Sequence, residues 1–153
     1  MKILHKALKL AYDRFEPNPY QRRYHFAIAF DGNKPVAISQ NNPIKVNAKA
    51  LKIGEHFNIR TYIEYPFLHA ETNLVCNLWQ KFGHIDSSLD IVVLRINRQG
   101  KLMGSKPCEN CQQVLDKVNL TSIFWSENDK KFYHSFRPKF NFSIDSIRMS
   151  DKI

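Results

Sequence analysis

Acidic residues are scarce in this chain: 14 Asp and Glu stand against 23 Lys and Arg, a net charge of +9 with the histidines neutral. Cysteine is scarcer still. There are three, an odd number, and two of them share one C-x-x-C, so a secreted disulfide framework is excluded. A reducing cytoplasm is the expected location, or the host cytoplasm if the source is viral. No apolar run approaches the roughly 18 residues of a membrane span. The opening stretch MKILHKALKLAYDRF is broken by lysines and lacks an apolar core with a small-residue cleavage site, so it reads as neither a signal peptide nor an anchor. No membrane partner is expected. Internal repeats and low-complexity segments are absent too. What remains is a 153-residue chain with 43% apolar and 24% charged residues, the profile of one soluble globular domain. At that length a core burying roughly 70% of the unfolded surface needs no staples.

The charge is unevenly placed. Residues 1–60 carry 11 basic and 4 acidic side chains, while 61–118 carry 6 of each. Such an excess attracts phosphate, on a free nucleotide or along a nucleic-acid backbone. Leu4, Leu8, Ala11 and Phe15 fall at helical spacing and stop at Pro17 and Pro19, predicting a basic first helix within 1–20. Apolar runs at 25–30 and 35–39 flank Asp31-Gly32, a hairpin signal. Residues 40–67 show no clean period and read as a long loop. A helix over 68–82 ends at Gly83, a strand runs over 90–96, and Leu102 and Met103 follow a turn at Gln99-Gly100. Pro107 opens another helix over 108–118, because proline suits a first helical position. A strand over 120–125 and an aromatic, basic tail complete the order. Strands alternating with helices predict a three-layer α/β/α sandwich on a mixed sheet. The chain divides into an N-terminal helix (1–20), a core (24–126) and a tail (127–153) packing on or extending the sheet.

Two short motifs lie at the starts of predicted helices: His69-Ala70-Glu71 and Pro107-Cys108-Glu109-Asn110-Cys111. Cysteines at i and i+3 on one helical turn can bind a single zinc ion, and a helix N-terminus favours the thiolate form. His69 is the well-placed third ligand. Cys76 lies two turns further along the same helix, about 10 Å away, and reads as a buried core thiol. Three protein ligands with the fourth position left to water describe a catalytic zinc rather than a structural one. Glu71, two residues past His69, faces differently from the ligand and can stand beside that water as a proton carrier. Such equipment suits replacing an amine on an electron-poor ring by oxygen.

His69-x-Glu71 followed by Pro107-Cys108-x-x-Cys111 resembles the signature of the zinc-dependent cytidine and deoxycytidylate deaminase superfamily. The wider pattern around HAE, SKPCENCQQVL and IFWS also looks like stand-alone deaminase-like proteins of phages and large viruses. The resemblance spans about 24–126 and implies helices packed on a mixed five-stranded sheet of order 2-1-3-4-5. It implies zinc ligation by His69, Cys108 and Cys111, with Glu71 as general acid/base. Asn41, with Asn42 next to it, resembles the asparagine before proline that contacts sugar or base. Backbone groups of Ala70 and of Ser105 or Cys108 would face the reacting amine, and Lys106 at the zinc rim faces a phosphate or solvent. Self-association into a homo-oligomer is common among such proteins, though no apolar stripe here demands it.

The substrate expected first is a cytosine nucleoside or nucleotide, its phosphate read by Lys45, Lys49, Lys52 and Arg60 near the pocket mouth. A single-stranded DNA or RNA substrate is the alternative. It draws on Trp125 as a stacking platform and on the mixed aromatics and basic residues of Lys130 to Lys139. A non-catalytic zinc-binding module is a third reading, which an intact Glu71 opposes.

Overall fold

The computed structural model describes residues 2–64, 67–128, 131–136 and 145–148. The first helix, α1 (Lys2–Arg14), buries Ile3, Leu4, Ala7, Leu8 and Ala11 along one stripe. It is followed by the hairpin β1 (Arg23–Asp31) and β2 (Lys34–Gln40). Gly32 turns it with φ +60°, a conformation that glycine adopts without a Cβ clash.

Residues expected to form one long loop instead form β3 (Asn42–Val46), α2 (Ala48–Phe57) and α3 (Arg60–Glu64). Local chemistry explains α2. Asn47 caps its N-terminus, its side chain accepting from the Lys49 N–H at 2.8 Å, and Asn58 closes the other end in the left-handed region at φ 56°. Its buried face is Ala50, Ile53 and Gly54, too short and small a stripe to show as a period. Gly54 is no breaker here: an added Cβ would lie 2.8 Å from the Cβ of Tyr62, so glycine lets α3 close on α2.

The chain continues as β4 (Phe67–Leu68), α4 (Ala70–Phe82), β5 (Asp90–Asn97), β6 (Leu102–Met103), α5 (Glu109–Lys117), β7 (Ser122–Ser126), β8 (Lys131–Phe136) and β9 (Asp145–Arg148). Gly83 ends α4 as expected, in the left-handed region with its N–H bonded to the Trp79 carbonyl. The large sheet runs β2-β1-β5-β7-β8-β9, with β6 also paired to β5; β3 and β4 form a separate two-stranded sheet. The first five strands of that path reproduce the 2-1-3-4-5 order, and β9 and β6 extend the sheet beyond five. It is mixed: β5 and β7 are parallel, and the other pairs are antiparallel.

Both faces are covered, which makes the sandwich three-layered. Phe26, Ile28, Phe30, Val92, Leu94, Ile96, Phe124 and Phe132 pack with α1 on one side. Ala27, Ala29, Ile91, Val93, Ile123 and Trp125 pack with α2, α4 and α5 on the other. Strict alternation along each strand produces the two sets. Among the described residues no helix is long and apolar enough to cross a membrane. Positions 130, 137–144 and 149, where the tail's period and its basic residues were expected, lie outside the described residues.

Candidate metal centre

The parallel pair β5 and β7 sets up the site. β7 runs beside β5 only as far as Val93 and Trp125; beyond it, β6 takes the same edge at Arg95 and Ile96. The chain between β6 and α5 is fixed there by Ser105, whose N–H donates to the Ser126 carbonyl at 2.9 Å and whose hydroxyl donates to the Val93 carbonyl at 2.8 Å. Clefts at the carboxyl ends of parallel strands are the usual places for ligands. Here that position delivers the N-terminus of α5 beside that of α4.

His69 and Cys108 occupy the N-cap positions of α4 and α5, and neither side chain makes a capping hydrogen bond. Ser, Thr, Asp or Asn normally satisfies the free N–H groups there. These two instead turn toward each other and Cys111. His69 Nδ1 lies 3.2 Å from Cys111 Sγ and 3.5 Å from Cys108 Sγ, and all the ligand atoms fall within 4.8 Å of one another. A tetrahedral zinc ion with its ordinary bond lengths separates nitrogen from sulfur by about 3.6 Å and two sulfurs by about 3.8 Å. The donor set fits such an ion in chemistry and in spacing.

Charge supports the fit. Hydrogen bonds from Cys111 and His69 lower the Cys108 thiol pKa to about 4, and the Cys108 sulfur in turn raises that of His69. Burial pushes the Cys111 thiol pKa well above its ordinary value. Behind Cys111 stands a relay. Thr72 Oγ1 donates to Tyr62 Oη at 2.9 Å, which leaves the Tyr62 proton to point at Cys111 Sγ, 3.0 Å away. The Tyr62 ring also meets His69 edge-on at 5.7 Å. Outer partners of this kind orient ligands and tune their basicity.

Glu71, only 5% exposed, sits one residue into α4, and burial raises its carboxyl pKa. It lines a cavity of about 470 Å³ together with His69, Ala70, Cys108, Ser105, Lys106, Asn41, Arg23, His25 and Leu68. Of the residues expected around the site, His69, Cys108, Cys111 and Glu71 are thus brought together. Ala70, Ser105 and Lys106 reach the same cavity, as does Asn41. The Asn41 amide is already engaged: its oxygen accepts from the His25 N–H at 3.0 Å and its nitrogen donates to the Arg23 carbonyl at 3.3 Å. Asn42 pairs with Leu68 between β3 and β4 and is not among the lining residues.

Three expectations need correction. Trp125 offers no stacking platform: it is 2% exposed, faces the helix-covered side of the sheet and stacks on Tyr133. The cations expected at the mouth are elsewhere. Folding of 48–57 into α2 puts Lys49 and Lys52 on a second cavity of about 410 Å³, with His56, Cys76 and Trp79. Arg60 pairs with Glu64 at 2.7 Å on α3, and the Lys45 side chain lies outside the described residues. Cys76 is half-buried rather than buried. The residues that do line the mouth, Arg23 and His25, carry no motif; alternation along β1 was their only signal. Tyr62 and Thr72 were missed as well, and Thr72, one turn past His69, was the more accessible of the two.

No family model and no curated protein matches this sequence. Among solved structures, a mutant cytidine deaminase from Mycobacterium tuberculosis is similar over 82% of this chain and 82% of its own, at 21% identity and a TM-score of 0.46.

Proposed function

We propose that this protein is a zinc-dependent hydrolytic deaminase converting cytosine to uracil in a nucleoside or a nucleotide such as (deoxy)cytidylate. The observation that carries the reading is the position of Glu71: a buried carboxyl on the wall of the cavity onto which His69 and Cys108 open. His69, Cys108 and Cys111 would hold the ion, and zinc there supplies the Lewis acidity that brings the pKa of a water to about 7.

Glu71 performs the proton transfers. Its raised pKa lets it exchange a proton nearer neutrality than an exposed glutamate does. The carboxylate takes a proton from the attacking water and delivers it to ring N3 as oxygen adds at C4. It then takes the remaining hydroxyl proton and passes it to the amine, which leaves as ammonia while the C4 carbonyl forms. Water is consumed, ammonia is released, and Glu71 ends as it began. Ser105 fixes the wall opposite α4, because its hydroxyl is held by Val93 and Ser126 and cannot swing into the cavity. A polynucleotide substrate draws no support from Trp125, whose ring is covered.

The test is a panel of cytidine, deoxycytidine, their monophosphates and a cytosine-containing single strand, read by ammonia release, with metal content measured on the same preparations. Glu71→Ala is expected to keep its metal and release no ammonia, whereas Cys108→Ser loses both. Full ammonia release by Glu71→Ala would refute the proposal.

A further inference from the structure

Resting on the deaminase reading, we infer that Arg23 and Lys106, with Arg95 behind them, form a phosphate subsite at the mouth of the cavity, so that the substrate is a mononucleotide rather than a nucleoside. Three observations carry this.

The first is placement. Arg23 and His25 lie two apart on β1, on the face that Ala27 and Ala29 turn toward the site-bearing helices, and His25 stands opposite Arg95 in the register with β5. Lys106 approaches from the other wall, just before Pro107, and lines the cavity with Arg23 and His25. Arg23 and Lys106 are exposed while Glu71 is buried, so the cations mark the solvent end and the carboxyl the inner end.

The second is the lack of counter-charge. Among the described residues, Glu71 is the one carboxyl lining this cavity. Among the described residues no carboxylate pairs with Arg23, Arg95 or Lys106; the ion pair found is Arg60 with Glu64.

The third is an orphan. Arg95 Nε is buried and has no acceptor among the described residues. Buried donors are nearly always satisfied, and a guanidinium N–H left without an acceptor near two other cations is suited to an anion. A terminal phosphate carries up to two negative charges and presents oxygens that a guanidinium fork can grip in pairs. A diester in a polynucleotide offers less charge, and the stacking surface that a strand would use is covered.

The test compares kcat/KM for cytidine monophosphate and cytidine in the zinc-loaded full chain. The monophosphate is expected to be preferred, and Arg23→Gln to cut that preference about 10- to 100-fold, the range of a charge-assisted hydrogen bond. Lys106→Gln is expected to cut it by less. A second arm measures binding of the same two compounds to Glu71→Gln protein by calorimetry, which reads phosphate recognition without turnover. Absence of ammonia from every substrate defeats the deaminase reading, and the binding arm then still decides the subsite. Equal affinity for the two compounds, or a preference that Arg23→Gln does not move, overturns the inference. So does a higher kcat/KM for a cytosine-containing single strand than for the monophosphate.

Discussion

Removing one oxygen from Tyr62 isolates the contribution of the relay behind Cys111. Tyr62→Phe keeps the ring that packs edge-on against His69, so no cavity forms and the helices stay where they are. Two interactions go. Cys111 Sγ loses the hydroxyl 3.0 Å away, and Thr72 Oγ1 loses the acceptor to which it donates at 2.9 Å. Both partners are buried, so water does not replace what is lost. A buried group left unsatisfied costs about 1–3 kcal/mol, and loss of an outer hydrogen bond to a metal ligand typically weakens the ion's binding about 10- to 100-fold. The sulfur carries most charge when ligating, so the metal-bound state loses more than the metal-free state. Zinc affinity is therefore expected to fall by that factor, and the zinc-loaded protein to lose more thermal stability than the metal-free one. Competition against a chromophoric chelator gives the first quantity and paired melts give the second. Thr72→Val, which removes the donor to Tyr62 and a longer 4.0 Å contact with Cys111 Sγ, is expected to show a smaller loss in the same direction. Affinity within twofold of the parent in Tyr62→Phe would refute the idea that the relay serves the metal.

Gly54→Ala is expected to destabilise the fold by about 1–3 kcal/mol by denaturant unfolding, because its Cβ meets Tyr62 at 2.8 Å and the Ile63 backbone at 3.0 Å, outweighing the gain in helix propensity. Burial, aided by the charges of Arg95, His69 and Arg23, lowers the His25 pKa from 6.5 to about 4. The unfolded chain therefore takes up a proton that the folded one refuses as pH drops through that window, so stability falls from about pH 6.5 to about pH 4, and His25→Gln flattens that limb in a series of melts. In zinc-loaded protein a thiol reagent is expected to count one of the three cysteines, Cys76, whose half-buried sulfur lines an open cavity. Adding a chelator should raise the count to two, as the exposed Cys108 joins it, and unfolding should raise it to three because Cys111 is buried.

The candidate metal site was legible because its chemistry sits in two short stretches. His69-Ala70-Glu71 and Pro107 to Cys111 fix residue types at spacings that one helical turn converts into geometry, and Pro107 marks the helix start by itself. What failed depended on neighbours distant in sequence. Ile123, Phe124 and Trp125 alternate faces, but both faces of this sheet are covered, so alternation could not tell an exposed ring from a buried one. The helix α2 is held by two asparagine caps and by a glycine whose use becomes clear only when Tyr62 lies against it. Its formation decides where Lys49 and Lys52 point. The cations that do face the cavity belong to β1, and nothing within β1 says that Lys106, some eighty residues later, stands across from Arg23.

Metal ligation by both N-cap residues, as proposed, would reach beyond the cavity. His69 and Cys108 lie 39 positions apart, and the chain between them includes β5, the central strand that pairs with both β1 and β7. An ion joining them closes that segment into a loop, restricting the unfolded chain much as a cross-link does. Withdrawing the ion reopens the loop and frees the first turns of α4 and α5 from one another. Amide exchange should then quicken first in the middle of the sheet, along β5 and the first turns of α4 and α5, while the β1–β2 hairpin keeps its protection. A failing metal supply would thus register as a softened centre inside an intact rim.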